Sequence, residues 1–182
     1  MHYATIKPRD IANGPGVRVS LFVSGCTHHC PGCFNAEAWD FDYGKPFDTA
    51  VMDELLTLLA PDYVKGLSLL GGEPFEPQNQ AALVEFLRKM RERYPNKTVW
   101  CYSGYTLEQL WGESRARCEY TDEMLSMIDV LVDGRFVMEK KNIRLRFRGS
   151  ENQRIIDMNR TRAAGELIIW DGVREDKLYG GK

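Results

Sequence analysis

The sequence predicts an α/β fold, a partial and open (β/α) barrel with a mainly parallel sheet. Three observations predict it. Apolar runs of strand length alternate with apolar-striped segments of helix length, the pattern of βα units around a parallel sheet. Each apolar run ends in a polar or glycine-rich loop. At 182 residues the chain is also too short for a closed eight-fold barrel, which needs about 250.

The elements follow in order. Asn13-Gly14-Pro15-Gly16 is a turn signal that shapes the loop beneath the first strand. Val17 to Ser24 is apolar and reads as that strand, buried. Asp48 or Thr49 caps a helix running to about Leu59, with Pro61 beyond its end. Leu67 to Leu70 is a second strand, ended by Gly71-Gly72-Glu73-Pro74. Pro77 to about Tyr94 is the clearest helix, because Leu83, Phe86, Leu87 and Met90 share one face and Pro95 stops it. Thr98 to Tyr102 is a third strand, ended by Ser103-Gly104. Thr106 to Trp111 and Thr121 to Met127 read as short helices. Ile128 to Val132 is a fourth strand, ended by Asp133-Gly134. Arg144 to Arg148 alternates like a half-exposed strand, and Glu166 to Trp170 reads as another. In parallel sheets ligands sit beyond the carboxyl ends of the strands, so the loops that carry chemistry are expected on one face.

Composition narrows the class. With 43% hydrophobic and 27% charged residues the chain is an ordinary globular protein. A net charge of -2 gives no electrostatic reason to expect nucleic acid or an anionic membrane. No apolar run reaches membrane-spanning length, and Met1-His2-Tyr3-Ala4 does not begin a signal peptide. The expected location is the cytoplasm. In a reducing compartment, three of the five cysteines within eight residues read as a metal or redox site rather than a disulfide framework.

Those three are Cys26, Cys30 and Cys33, in Cys26-Thr27-His28-His29-Cys30-Pro31-Gly32-Cys33. Three thiolates on one loop can bind three irons of a cuboidal cluster and leave the fourth iron open to a substrate. Zinc is the alternative, with His28 or His29 completing a Cys3His site, although no second cysteine pair accompanies it. Both histidines are otherwise read as loop residues lining the cluster. Cys101 and Cys118 are read as unligated, Cys101 as a small core residue.

The C-x3-C-x2-C spacing right after a first strand resembles the radical S-adenosylmethionine (SAM) superfamily. Gly71-Gly72-Glu73-Pro74 resembles that superfamily's SAM-binding turn. Further stretches resemble one family within it, the activating enzymes of anaerobic (class III) ribonucleoside-triphosphate reductase. They are Asp10 to Gly16, Leu21 to Cys26, Cys30 to Asn35, Val132 to Phe136 and Arg148 to Gln153. The resemblance spans about residues 3 to 157. Residues 1–157 are therefore read as a radical SAM domain and 158–182 as a tail without an assigned role.

The resemblance implies one [4Fe–4S] cluster on Cys26, Cys30 and Cys33, with SAM as cosubstrate. It implies reductive cleavage of SAM and abstraction of hydrogen from a glycine of the reductase, leaving a glycyl radical. Gly71, Gly72 and Glu73 would hold the methionine end of SAM, Glu73 through its carboxylate. Gly32 and Phe34 would pack beside it. Ser103 would bond ribose or carboxylate, or serve only as a turn residue. Asp133 and Arg135 match an Asp-x-Lys position near SAM in related activases, with Arg for Lys, or form a salt-bridged pair. Arg144, Arg146 and Arg148 would dock the reductase or an acidic electron donor such as flavodoxin, or form a solvated face. Activation of another glycyl radical enzyme, such as pyruvate formate-lyase, and a non-enzymatic zinc-binding adaptor are the alternatives.

Overall fold

The computed structural model describes residues 1–172. Its strands are β1 (His2–Asp10), β2 (Val17–Val23), β3 (Lys45–Pro46), β4 (Val64–Gly71), β5 (Thr98–Tyr102), β6 (Val130–Asp133) and β7 (Arg154–Asp157). They form one seven-stranded sheet in the order β3-β1-β2-β4-β5-β6-β7. The middle is parallel, with β2 on β4, β4 on β5 and β5 on β6. The flanks are antiparallel, with β1 on β2, β3 on β1 and β7 on β6. The sheet does not close, and β3 and β7 are its edges.

The expected parallel strands thus occupy the centre, and the antiparallel flanks correct the expectation. β1 lacks a strand signal because charged residues and Pro8 interrupt His2–Asp10, and proline is confined to edges and irregular positions of sheets. β7 is only four residues long and half exposed.

Five helices cover one face: α1 (Thr49–Leu59), α2 (Pro77–Arg93), α3 (Leu107–Trp111), α4 (Thr121–Ser126) and α5 (Met158–Ala164). The Asp48 side chain caps α1 by accepting from the Val51 N–H. Thr106 and Gln109 close a capping box on α3, and Pro77 opens α2 where no amide donor is needed. Alternate strand residues Val19, Leu21, Val23, Leu67, Leu69, Val99, Cys101 and Leu131 meet Leu55, Leu59, Leu83, Phe86 and Leu87 in one buried core. The strand period of two puts Arg18, Ser20, Ser68, Trp100 and Tyr102 on the opposite face.

Two expected strands are absent. Residues 144–148 form a turn and bends, not a strand, in a loop closed by the Lys141–Ser150 bridge. Phe147 has φ 58°, which an extended strand does not tolerate, and its ring packs edge-on against Trp100 at 5.4 Å. The alternation of Arg144 to Arg148 therefore marks an inward-packed loop, not a ladder. Residues 166–170 contribute one isolated bridge, Ile169 to Ile156. Of the expected tail, 158–172 packs on the sheet: Met158 is buried, and Trp170 lies 5.2 Å from Trp100. Residues 173–182 lie outside the described residues.

Candidate iron–sulfur and cosubstrate site

Four loops leave the carboxyl ends of β2, β4, β5 and β6. The first carries the cysteines. Its start is fixed by a 3-10 turn at Ala36–Trp39: Gly25 N–H donates to the Ala38 carbonyl at 2.8 Å and Cys26 N–H to that of Trp39 at 3.1 Å. Cys26 and Cys30 are buried and Cys33 is half-buried. All three line a cavity of about 450 Å³ together with Gly32, Phe34, Gly71, Gly72, Glu73 and Ser103. That volume is in the range of small-molecule sites.

The donor set fits an iron–sulfur cluster. Three thiols on one loop border one cavity, and the His28 and His29 amides donate to the Cys26 sulfur. Burial dominates and pushes the Cys26 thiol up to about 12 despite those amides; a bound metal removes such a proton outright. The zinc alternative fits less well. His28 Nε2 meets Glu73 at 3.1 Å and His29 stacks on Trp39 at 4.6 Å, and the grouping of donors decides against zinc. Among the described residues, no three His, Cys, Asp or Glu side chains are grouped to hold a single ion. Buried Cys101 is on the helix-covered face, in the core. Cys118 is half-buried beside Thr121.

The second loop follows β4. Gly71 adopts φ 111°, and a Cβ at Gly72 would lie 2.5 Å from the Gly25 carbonyl oxygen. Only glycine lets this turn press so closely on the cysteine loop. Gly72 N–H donates to the Val23 carbonyl at 2.7 Å and Glu73 N–H to that of Gly25 at 2.8 Å. The Glu73 side chain is 1% exposed and accepts four hydrogen bonds. Oε1 takes Phe75 N–H and Ser103 Oγ, each at 2.9 Å. Oε2 takes Gly104 N–H at 2.7 Å and His28 Nε2 at 3.1 Å. A carboxylate offers about four acceptor positions, so the protein itself occupies this one.

The remaining sequence-predicted residues separate. Gly32 and Phe34 flank the cavity, with Gly32 against Met138 and Phe34 84% exposed at the mouth. The Ser103 hydroxyl lines the cavity, donates to Glu73 and accepts from the Tyr105 N–H. Asp133 and Arg135 border a neighbouring cavity of about 890 Å³ rather than the one with the cysteines. They are not paired with each other. Asp133 bonds Arg154 and the Leu107 N–H, and Arg135 donates to the His28 carbonyl at 2.6 Å. Arg148 bonds the Gln153 carbonyl and borders the cavity, Arg146 lies over the Phe147 ring, and Arg144 is exposed.

A family model described as a 4Fe-4S single cluster domain matches residues 12–156. The chain is 42% identical over 155 residues to the anaerobic ribonucleoside-triphosphate reductase-activating protein of Pasteurella multocida (strain Pm70), covering 84% of this chain and 95% of that protein. The chain belongs to this activating-protein family. The protein of that name from Escherichia coli (strain K12) is 41% identical over 155 residues, 84% of this chain and 96% of its own. Its namesake from Enterobacteria phage T4 is 38% identical over 155 residues, 85% and 93% of the two chains.

In this family member, three side chains bind the site together; Glu76 and Asn79 carry no metal-site signal in the sequence, and His28 reads there only as a zinc ligand or a loop residue lining the cluster. Glu76 Oε1 accepts from Thr27 N–H and Thr27 Oγ1 at 2.8 and 2.6 Å. Asn79 Nδ2 reaches the carbonyls of Ser24 and Glu73 at 2.9 and 3.0 Å. His28 reaches Glu73. The available signal was Glu73-Pro74-Phe75-Glu76-Pro77, two acids held at the start of a helix beside the glycine turn. Gln153 is a fourth such residue: it accepts from Gly149 and Ser150 N–H and donates to the Gly134 carbonyl, so the Gly149-to-Gln153 motif holds the loop after β6.

Proposed function

We propose that the chain activates an anaerobic ribonucleoside-triphosphate reductase as a radical SAM enzyme, with a [4Fe–4S] cluster and SAM in the 450 Å³ cavity. The observation that carries the reading is that the three thiols and the Gly71-Gly72-Glu73 turn line one cavity. With a cluster and SAM bound there, reductive cleavage of the sulfonium supplies a 5′-deoxyadenosyl radical that takes hydrogen from a glycine of the reductase.

The chain's own residues prepare that step. Cys26, Cys30 and Cys33 supply three ligands and leave one iron for SAM. Gly71, Gly72 and Glu73 hold the methionine end of SAM, and Glu73 also joins the loops around it. Gly32 and Phe34 border the same space. Arg135 acts from the far side of His28, through the cysteine loop. The open sheet is read as a partial barrel of the radical SAM type, whose uncovered side admits a protein loop. Two of the most exposed large apolar side chains, Phe34 at 84% and Ile143 at 90%, flank the cavity, as suits a protein substrate. Lys141 and Arg148 border it too; with Arg144 and Arg146 of the same loop they would dock the reductase or an acidic electron donor such as flavodoxin. No helix among the described residues is long and apolar enough to cross a membrane.

Anaerobic reconstitution tests this. The expected result is about four irons per chain, 5′-deoxyadenosine from SAM and reductant, and a glycyl radical signal on the reductase but not on pyruvate formate-lyase. A colourless protein with one zinc, or a cluster that cleaves SAM without radical transfer to the reductase, would overturn it.

A further inference from the structure

Thr27, His28 and His29 separate the first two cluster cysteines. Carboxylates from the segment after β4 hold two of the three: Glu76 holds Thr27, and Glu73 holds His28. Both carboxylates are buried. A carboxylate only accepts, so His28 Nε2 carries a proton toward Glu73 Oε2. The other bonds of Glu73 go to Phe75, Ser103 and Gly104. Through His28, one side chain therefore joins the cysteine loop, the turn after β4 and the loop after β5.

The imidazole is packed on two further sides. The Tyr105 ring lies 4.4 Å away, centroid to centroid. A Cβ at Gly104 would stand 2.4 Å from His28 Cδ2 and 2.5 Å from Nε2. Gly104 is not among the residues with positive φ, so its missing side chain serves space rather than backbone conformation. Arg135 holds the His28 carbonyl. His28 also borders both cavities and stands in the wall between them.

We propose that His28 is a positioning residue for the cosubstrate: its hydrogen bond to Glu73 sets the cysteine loop against the Gly71-Gly72 turn, so that the open iron and the amino-acid end of SAM meet in register. The proposal rests on the cluster-and-SAM reading above. The two halves of the site come from adjacent strands, and a misplacement of about 1 Å costs about a hundredfold in a reacting geometry. His28 touches no iron in this role; the three thiols keep that task.

The test compares His28→Leu, which keeps bulk and removes the donor, with His28→Gln, which keeps an N–H for Glu73. Gly104→Ala displaces the ring without touching it chemically. Iron content, SAM affinity and the paramagnetic spectrum of the reduced cluster with and without SAM are measured on each. All three variants should hold the same iron as the unaltered protein. His28→Leu and Gly104→Ala should bind SAM about 10- to 100-fold more weakly, the usual scale for partners behind metal ligands, with a smaller spectral response to SAM. His28→Gln should restore most of both. The proposal is overturned if His28→Leu binds SAM as the unaltered protein does, if it loses iron as a cysteine variant does, or if Gln fails to rescue. If the unaltered protein itself takes up no cluster or binds no SAM, the functional reading beneath the proposal is what fails.

Discussion

Two buried polar networks sit at opposite ends of the same strands. At the amino ends of β2, β4 and β5, Arg18 is fully buried. Its Nε donates to Ser68 Oγ at 2.8 Å, Nη1 to Thr98 Oγ1 at 3.0 Å, and Nη2 to the carbonyls of Leu67 and Thr98 at 2.8 and 2.9 Å. At the carboxyl ends, Glu73 is as deeply buried and as fully bonded. The chemistry is alike: a buried charge tolerated because hydrogen bonds satisfy it. The surroundings differ. Arg18 bonds strand to strand and borders neither cavity, whereas Glu73 joins loops that border one. A network of the first kind serves the fold, and one of the second kind also sets a site.

The largest effect that can break this comparison lies beside Glu73. Replacing Cys26, Cys30 or Cys33 by alanine should abolish glycyl radical formation and most of the bound iron, while Cys118→Ala should leave both unchanged. Iron assay and paramagnetic resonance read the outcome; a cysteine variant with full iron removes that residue from the ligand set.

The two networks can then be set against each other. Glu73→Ala leaves four buried donors without their acceptor, and Arg18→Met strips the donors from buried acceptors. Each leaves neutral groups unsatisfied, at about 1–3 kcal/mol for a buried one, measured by denaturant unfolding of the metal-free proteins. They should part at the site. Glu73→Ala is expected to weaken SAM binding about 100-fold, and Arg18→Met to leave it unchanged. Equal losses of SAM affinity in both variants would erase the distinction between a fold network and a site network.

The same contrast explains what the sequence made legible. Strands β2, β4, β5 and β6 are short apolar runs ending in distinctive loops, and the cysteine spacing and glycine turn announce their chemistry directly. β1 and β7 carry no such pattern, because they pair antiparallel at the flanks and their partly exposed residues need not be apolar. The Arg144 to Arg148 alternation misled because period two requires extended backbone, and Phe147 abandons it to bury its ring against Trp100. Arg18 carries no signal of its role within the strand read over Val17 to Ser24, because its acceptors lie 49 to 80 residues away in sequence. Glu73 is legible as an acid beside a glycine turn, but not as one already saturated: the donors on Ser103, Gly104 and His28 come from other loops. Asp133 and Arg135 match a pairwise motif, yet each takes a different partner, because Arg154 on the antiparallel neighbour β7 reaches Asp133 first.

Arg154 gives the smallest effect, and it separates a buried bond from an exposed one within a single side chain. It donates to buried Asp133 and also to Glu108 at 2.6 to 2.9 Å. Its guanidinium holds the Glu108 carboxyl down to about 2, from an ordinary value of 4.5. A lowered carboxylate contributes stability that is complete above the unfolded value and disappears as pH falls through the folded one. The window therefore runs from pH 4.5 down to about 2. Glu108 is 59% exposed, so solvent screens the pair and its share should stay below about 1 kcal/mol. Glu108→Gln removes the titrating group and keeps an acceptor for Arg154. Across that window the metal-free Gln variant should lose less stability than the unaltered protein, by that small margin, in denaturant unfolding at stepped pH. Parallel curves would mean that the outer bond adds nothing, and that Arg154 holds the loop after β6 through Asp133 alone.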